Sequence, residues 1–284
     1  MKILKYLTQS LFIYTFFILG RLIGINSSRI IFSFLFLKLG PLFKSKKIIE
    51  KNLENFNKNL SENEKRNIIC NMWKNYGKTF IEYVYLDIFR NNNSHIIIEG
   101  QENLKNYFKK NKPVIFVSGH FANFELMSME ITKKNIPLAT IYRPLNNFFI
   151  NPLMEYLRRK YICKNQIKKG INGVRTAIEY IRKNVSIALM IDQRVSEGEK
   201  VNFFNKPALT TTLPAQLSIK YNLSIIPVMI ERSDKNKFKI IFYQEIKASS
   251  FKNKKELTQE LNKILEKMII KNPNEWIWTH DRWK

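Results

Sequence analysis

The chain opens almost without interruption on apolar residues. Lys2 and Lys5 precede a charge-free stretch of fifteen residues, 6–20. Apolar character resumes after Arg21 in residues 22–25 and again in 30–37. A bilayer span needs roughly 18–20 apolar residues, so the pattern predicts a helical segment over 1–43 that lies at the membrane interface. Its basic residues would meet anionic head groups. No small-x-small cleavage site follows the run, so it is not read as a removable signal. Beyond it the chain turns polar. Ser61-Glu-Asn-Glu64 is a capping-box pattern that predicts a helix start, and Asn52-Leu-Glu-Asn-Phe56 reads as another. Ile68, Ile69, Met72, Trp73, Tyr76, Phe80 and Ile81 then recur at helical spacing.

From residue 95 the period changes. Short apolar runs at 95–100, 113–117, Leu138–Tyr142, 186–191, 224–230 and 239–243 read as strands. Helical patterns at 151–161, 172–183 and Leu213–Tyr221 fall between them. Thr212 is placed to cap the last of these, with Pro214 in its first turn. Residues 203–216 read as a loop running into that helix. A final apolar face, Leu257 to Ile269, ends before Pro273, and the aromatic tail after it is expected to pack on the sheet. Strands alternating with helices predict an α/β fold with a mixed, mostly parallel central sheet flanked by helices. Continuous apolar strands such as Ile187-Ala-Leu-Met-Ile191 suit a sheet covered on both faces. The expected organisation is an N-terminal anchoring segment, 1–43, and an α/β domain, 44–284.

Composition narrows the possible partners. Apolar residues make up 45% of the 284 and aromatics 13%, which excludes wholesale disorder. The net charge of +25 calls for an anionic partner: nucleic acid, anionic lipid or an acidic protein. The apolar N-terminus turns that choice toward a membrane surface. Cys70 and Cys163 form no CxxC pattern, and with His95, His120 and His280 as the three histidines no metal site is expected. His95 reads as a strand-end residue.

The candidate chemistry lies where strands end. In open α/β sheets ligands bind at the carboxyl ends of the strands. His120 follows the strand at 113–117 through a Ser-Gly turn, in which Gly119 is expected to supply an unusual backbone conformation. Arg143 follows Leu138–Tyr142, and Asp192-Gln-Arg194 follows 186–191. On one helix, residues five apart point roughly 140° from each other, so His120 and Glu125 can meet only if His120 sits in the turn and Glu125 on the helix that follows. A carboxylate on one ring nitrogen would fix the tautomer and leave the other nitrogen as a base. Asp192 could position Arg143 or Arg194, or act as a structural acid.

These blocks together resemble the lysophospholipid acyltransferase superfamily, and within it the late acyltransferases of lipid A biosynthesis, the lauroyl and myristoyl transferases. The resemblance rests on Gly119-His-Phe-Ala-Asn-Phe-Glu125 (a His-x4-acid motif), Tyr142-Arg-Pro144, Asp192-Gln-Arg194, the run from Phe203 to Leu213 with its Thr triplet, and Trp278-Thr-His-Asp-Arg282. It implies a glycerolipid acyltransferase-like fold. It also implies transfer of a fatty acyl chain from the thioester of acyl carrier protein to a hydroxyl of a lipid A precursor, at the cytoplasmic face of the bacterial inner membrane. His120 would be the base, Glu125 its orienter and Arg143 the first candidate to stabilise the oxyanion, with turn amides near Gly119 as alternatives. Asn123, Asp192, Gln193, Arg194, Thr211 and Thr212 fall in the blocks expected to bind substrate. No cofactor is implied beyond the donor's phosphopantetheine. The alternatives are a lysophospholipid or other glycolipid acceptor, or a non-catalytic basic protein that binds membranes or nucleic acid.

Overall fold

The computed structural model describes residues 1–110, 112–233 and 237–284, apart from the side chains of residues 106 and 110. Two helices lead, α1 (Lys2–Leu22) and α2 (Ile25–Phe43), joined at Gly24. α1 is a single uninterrupted helix, long and apolar enough to cross a membrane. Leu11, Phe12, Ile18 and Leu19 on α1, and Ile30, Ile31 and Phe34 on α2, are exposed. The other face of α2 belongs to the core. It lies against α4 (Glu62–Glu82), which follows α3 (Lys46–Phe56), so closely that a Cβ on Gly77 would come 2.0 Å from the Phe32 carbonyl oxygen. The α4 start is the expected box: the Ser61 hydroxyl accepts from the Glu64 amide at 3.3 Å while Glu64 Oε2 accepts from the Ser61 amide at 2.8 Å.

After α5 (Leu86–Asn91), strand β1 (Ile96–Glu99) and α6 (Lys105–Lys110) comes the run that builds the sheet. It comprises β2 (Ile115–Ser118), α7 (Glu125–Lys133), β3 (Leu138–Tyr142), α8 (Asn151–Leu157), β4 (Asn165–Lys168), α9 (Ile171–Arg182) and β5 (Ser186–Met190). A hairpin of β6 (Glu199–Phe203) and β7 (Lys206–Thr210) follows, then α10 (Leu213–Tyr221), β8 (Ile225–Arg232), β9 (Phe238–Phe242) and α11 (Lys254–Lys271). Seven strands form one sheet in the order β1-β9-β8-β2-β5-β3-β4. β8, β2, β5, β3 and β4 run parallel; β9 is antiparallel to β8, and β1 is parallel to β9. This is the expected mixed, mostly parallel sheet. Every residue of β2 is buried, as a strand covered on both faces requires.

Four features depart from the sequence expectation. Asn52-Leu-Glu-Asn-Phe56, read as a helix start, is instead the end of α3, which begins at Lys46 behind a Ser45 cap. The loop expected at 203–216 is in part a strand: β6 and β7 pair antiparallel across Phe204-Asn205, both at positive φ (50° and 56°), the geometry of a tight two-residue hairpin turn. β4 is a short edge strand whose polar sequence gave no strand signal. The helix expected over 151–161 gives way after Leu157 to a π-helical turn, Arg158–Ile162. The tail packs inward as expected, with Trp276, Trp278 and Arg282 all buried.

Candidate functional site

The sheet register brings the reactive groups together. β2 and β5 are neighbours, and Ser118 pairs with Met190. Two residues on from each are His120 and Asp192, so both leave the same edge side by side. Asp192 is fully buried and accepts three hydrogen bonds. They come from the His120 amide (2.7 Å), His120 Nδ1 (2.7 Å) and the Trp276 indole Nε1–H (2.9 Å). A carboxylate on Nδ1 keeps the neutral ring's proton there and leaves Nε2 as the acceptor. The His120 side chain is 19% exposed, so the ring can reach a bound molecule. Burial alone would lower its pKa. The charge and hydrogen bond of Asp192 outweigh that, helped by the charge of Glu125, and hold it above the usual histidine range. Burial pushes Asp192 up, but His120 and the three donors hold it below the usual aspartate range.

Glu125 is therefore not the hydrogen-bond orienter of the imidazole, the role expected of it; Asp192 holds the ring nitrogen. Glu125 begins α7 as anticipated, but its carboxylate turns to Arg158, with Nε at 2.8 Å and Nη2 at 2.6 Å, and to the Tyr83 hydroxyl. The Arg158 guanidinium also lies over the Tyr142 ring, 5.5 Å from its centroid, and its Nη1 is buried without a hydrogen-bond partner. The π turn after α8 aims Arg158 inward. In the sequence, Arg158-Arg159-Lys160 looks like a solvated basic run, and only its first member is held by Glu125 and Tyr83.

The remaining candidates divide. Arg143 leaves the end of β3 exposed, with no hydrogen bond or ion pair to another described residue, beside Lys169. Gln193 is half-buried and makes no side-chain hydrogen bond to a described residue. Arg194 donates its amide to His280 Nε2 at 2.9 Å, while its Nε is buried without a partner. Asn123, expected at the substrate, instead points into the protein and donates to Glu82 Oε2 at 2.9 Å. Thr211 and Thr212 serve the start of α10: Thr211 Oγ1 accepts from the Leu213 amide at 3.4 Å, and Thr212 Oγ1 accepts from Gln216 at 2.8 Å. Thr212 holds the cap position without making a side-chain cap. Gly119 does not take positive φ; Ala122 does, at 43°. Gly119 is needed for space, since a Cβ there would come 2.7 Å from Phe121 and 2.9 Å from Leu265.

Tyr83 also forms part of the wall of an apolar cavity of about 550 Å³ between α1 and α8, together with Tyr14, Phe17, Ile18, Leu153 and Leu157. An imidazole held by a buried aspartate thus sits at the carboxyl edge of a mostly parallel sheet. A glutamate–arginine pair and an apolar hollow adjoin each other in the same region. Fold and site define an α/β protein with an oriented imidazole at the strand ends and a mostly apolar hollow, lined also by Arg21 and Asp87, that shares Tyr83 with the glutamate–arginine pair. Over residues 1–284 the chain matches the bacterial lipid A biosynthesis acyltransferase family, and it belongs to that family. It is 26% identical over 192 residues to the lipid A biosynthesis palmitoleoyltransferase of Escherichia coli (strain K12), covering 66% of this chain and 61% of that protein. The chain thus spans about three-fifths of that relative's length. It is 22% identical over 246 residues to the lipid A biosynthesis lauroyltransferase of the same organism, covering 84% of this chain and 78% of that protein. Among solved structures it is similar to the 1-acyl-sn-glycerophosphate acyltransferase of Thermotoga maritima. The TM-score is 0.45 with 14% identity, over 89% of this chain and 100% of that one.

Proposed function

We propose that the protein transfers a fatty acyl chain from the thioester of acyl carrier protein to a hydroxyl of a lipid A precursor. The hydroxyl is one borne by an acyl chain already on the disaccharide. The carrying observation is the His120–Asp192 pair, an oriented base whose ring is hydrogen-bonded to no serine, threonine or cysteine among the described residues. The acceptor hydroxyl gives its proton to His120 Nε2 as its oxygen attacks the thioester carbonyl. Asp192 stabilises the imidazolium. The tetrahedral oxyanion needs donors; Arg143 is free to turn toward it, and Arg158 Nη1 is a buried donor with none of its own partners. Collapse breaks the C–S bond, and the leaving thiolate takes the proton back from the imidazolium. No step calls for a metal or a further cofactor.

The net charge of +25 suits an acidic carrier protein, a phosphorylated saccharide and anionic lipid head groups. Arg194, Gln193 and Lys169 stand near strand ends where substrate phosphates could be bound. The exposed apolar faces of α1 and α2 suit attachment at the cytoplasmic face of the inner membrane. The test is mass spectrometry of products from purified protein. It is offered acyl carrier protein loaded with several chain lengths, with a tetra-acylated lipid A precursor or lysophosphatidic acid as acceptor. The expected result is one added acyl chain on the lipid A precursor, lost in His120→Ala. Transfer only to lysophosphatidic acid would overturn the acceptor, and full turnover by His120→Ala would overturn the mechanism.

A further inference from the structure

We infer that Glu82 is a positioning residue that fixes the loop carrying His120 and ties that loop, through Arg29, to helix α2; the inference rests on the acyl transfer proposed above. Glu82 ends α4 and is wholly buried. Three elements far apart in sequence converge on it. Arg29 from α2 donates Nε to Oε1 at 2.7 Å. Arg232, at the end of β8, donates Nη1 to Oε1 at 2.7 Å and Nη2 to Oε2 at 3.1 Å. Asn123, three residues after His120, donates to Oε2 at 2.9 Å. One turn earlier on α4, Thr79 donates its hydroxyl to the Ala122 carbonyl at 2.9 Å and accepts from Arg232 Nη2 at 3.0 Å.

The loop needs such ties. Ala122 takes a left-handed conformation, φ 43°, which an alanine adopts only where its surroundings impose it. The two bonds that impose it, from Thr79 and to Glu82, fall on Ala122 and Asn123, the residues that set the exit of the loop behind His120. A carboxylate and two guanidinium groups buried together form a costly arrangement that an apolar cluster could replace as a mere staple. Burial raises the Glu82 pKa, but Arg232 and Arg29 hold it below the usual range, so the carboxylate remains charged and able to receive Asn123. The bond from Arg29 makes the seating of α2, whose outer face is apolar and exposed, part of the same assembly.

The test uses the full chain with Asn123→Ala, Thr79→Val and the conservative control Thr79→Ser. Both disruptive changes leave Arg29, Arg232 and Glu82 in place, and Asn123→Ala also removes an Oδ1 that is buried without a partner. Amide hydrogen exchange in residues 119–124 is expected to rise roughly tenfold in both variants while exchange in the sheet strands is unchanged. In wild-type-competent assays kcat is expected to fall on the order of 100-fold, with KM within about threefold and Thr79→Ser near wild type. Unchanged loop exchange in both variants overturns the coupling. Raised exchange with undiminished kcat overturns the positioning role. If the wild type itself transfers no acyl chain while loop exchange still rises in the variants, the proposed reaction falls and the tie between Glu82 and the loop stands.

Discussion

Asp192→Asn tests the site at its most constrained point. Three donors reach two carboxylate oxygens: the His120 amide and the Trp276 indole both point at Oδ2, and His120 Nδ1 at Oδ1. The first two donors are a backbone amide and a ring in the core, and neither can turn away. An asparagine satisfies them by placing its one oxygen where Oδ2 was, which presents its NH2 group to Nδ1. That forces the imidazole proton onto Nε2 and removes the base. In a comparable aspartate–histidine pair the wrong tautomer reduces turnover by about 10⁴-fold, or about 5.4 kcal/mol of transition-state stabilisation. The assay is acyl transfer across pH. The base must be neutral to act, and the pKa of His120 is raised, so wild-type turnover should climb with pH through a value above the usual 6.5. The variant's residual rise should move to lower pH, because burial then dominates. The same raised pKa makes the stabilising contribution of His120 complete below about pH 6.5, lost as pH rises through the folded value. Turnover within about tenfold of wild type, or a rising limb that does not move, would refute the assignment of Asp192 as orienter.

Other consequences can be checked separately. Glu125→Gln and Arg158→Met should shift the His120 pKa in opposite directions, down and up, because Glu125 raises it and Arg158 lowers it; histidine-resolved NMR titration reads both. Arg158→Ala leaves the Glu125 carboxylate buried without its cation and should cost about 3–5 kcal/mol in urea unfolding. Gly77→Ala places a Cβ 2.0 Å from the Phe32 carbonyl oxygen and should cost about 1–3 kcal/mol by levering α2 from α4, measured by thermal unfolding. Phe12→Glu with Leu19→Glu, both exposed positions, should leave circular dichroism unchanged but reduce flotation with anionic vesicles at least about tenfold.

The sequence expectation succeeded where a local pattern decides structure. The bounds of β3 and α10 and the Ser61 capping box follow from hydrophobic period and cap chemistry. It failed where a long-range register decides. Glu125 is five residues from His120 and Asp192 is seventy-two, so nearness in sequence favoured the wrong carboxylate. Only the pairing of Ser118 with Met190 sets Asp192 beside the ring. Asn165-Gln-Ile-Lys168 carries a single core-facing residue, Ile167, because it is an edge strand, so it lacks the apolar run that reveals β2. The β6–β7 hairpin turns on Phe204-Asn205, which are not the glycine-rich pairs that advertise such a turn. Arg158 and Glu82 were hidden for a different reason. Arg158 heads a basic run and is drawn in by Glu125 and Tyr83, while Glu82 is a lone charge inside the apolar run 80–86, buried among partners from other elements.

The two carboxylates then divide the work by environment. The proposed reaction needs a base that becomes a cation and, in the same step, donors for a new oxyanion on the thioester carbonyl. A bare guanidinium near the imidazole would serve the oxyanion and oppose the imidazolium. Glu125 resolves the conflict: bound through Nε and Nη2 of Arg158, it offsets that cation's effect on His120, while Nη1 keeps a buried, uncommitted N–H. Asp192, which among the described residues forms an ion pair with His120 alone, is left to stabilise the charge that appears on the ring. On this reading the five-residue spacing of His120 and Glu125 places the base next to a balanced arginine, and the aspartate across the register is what makes it a base.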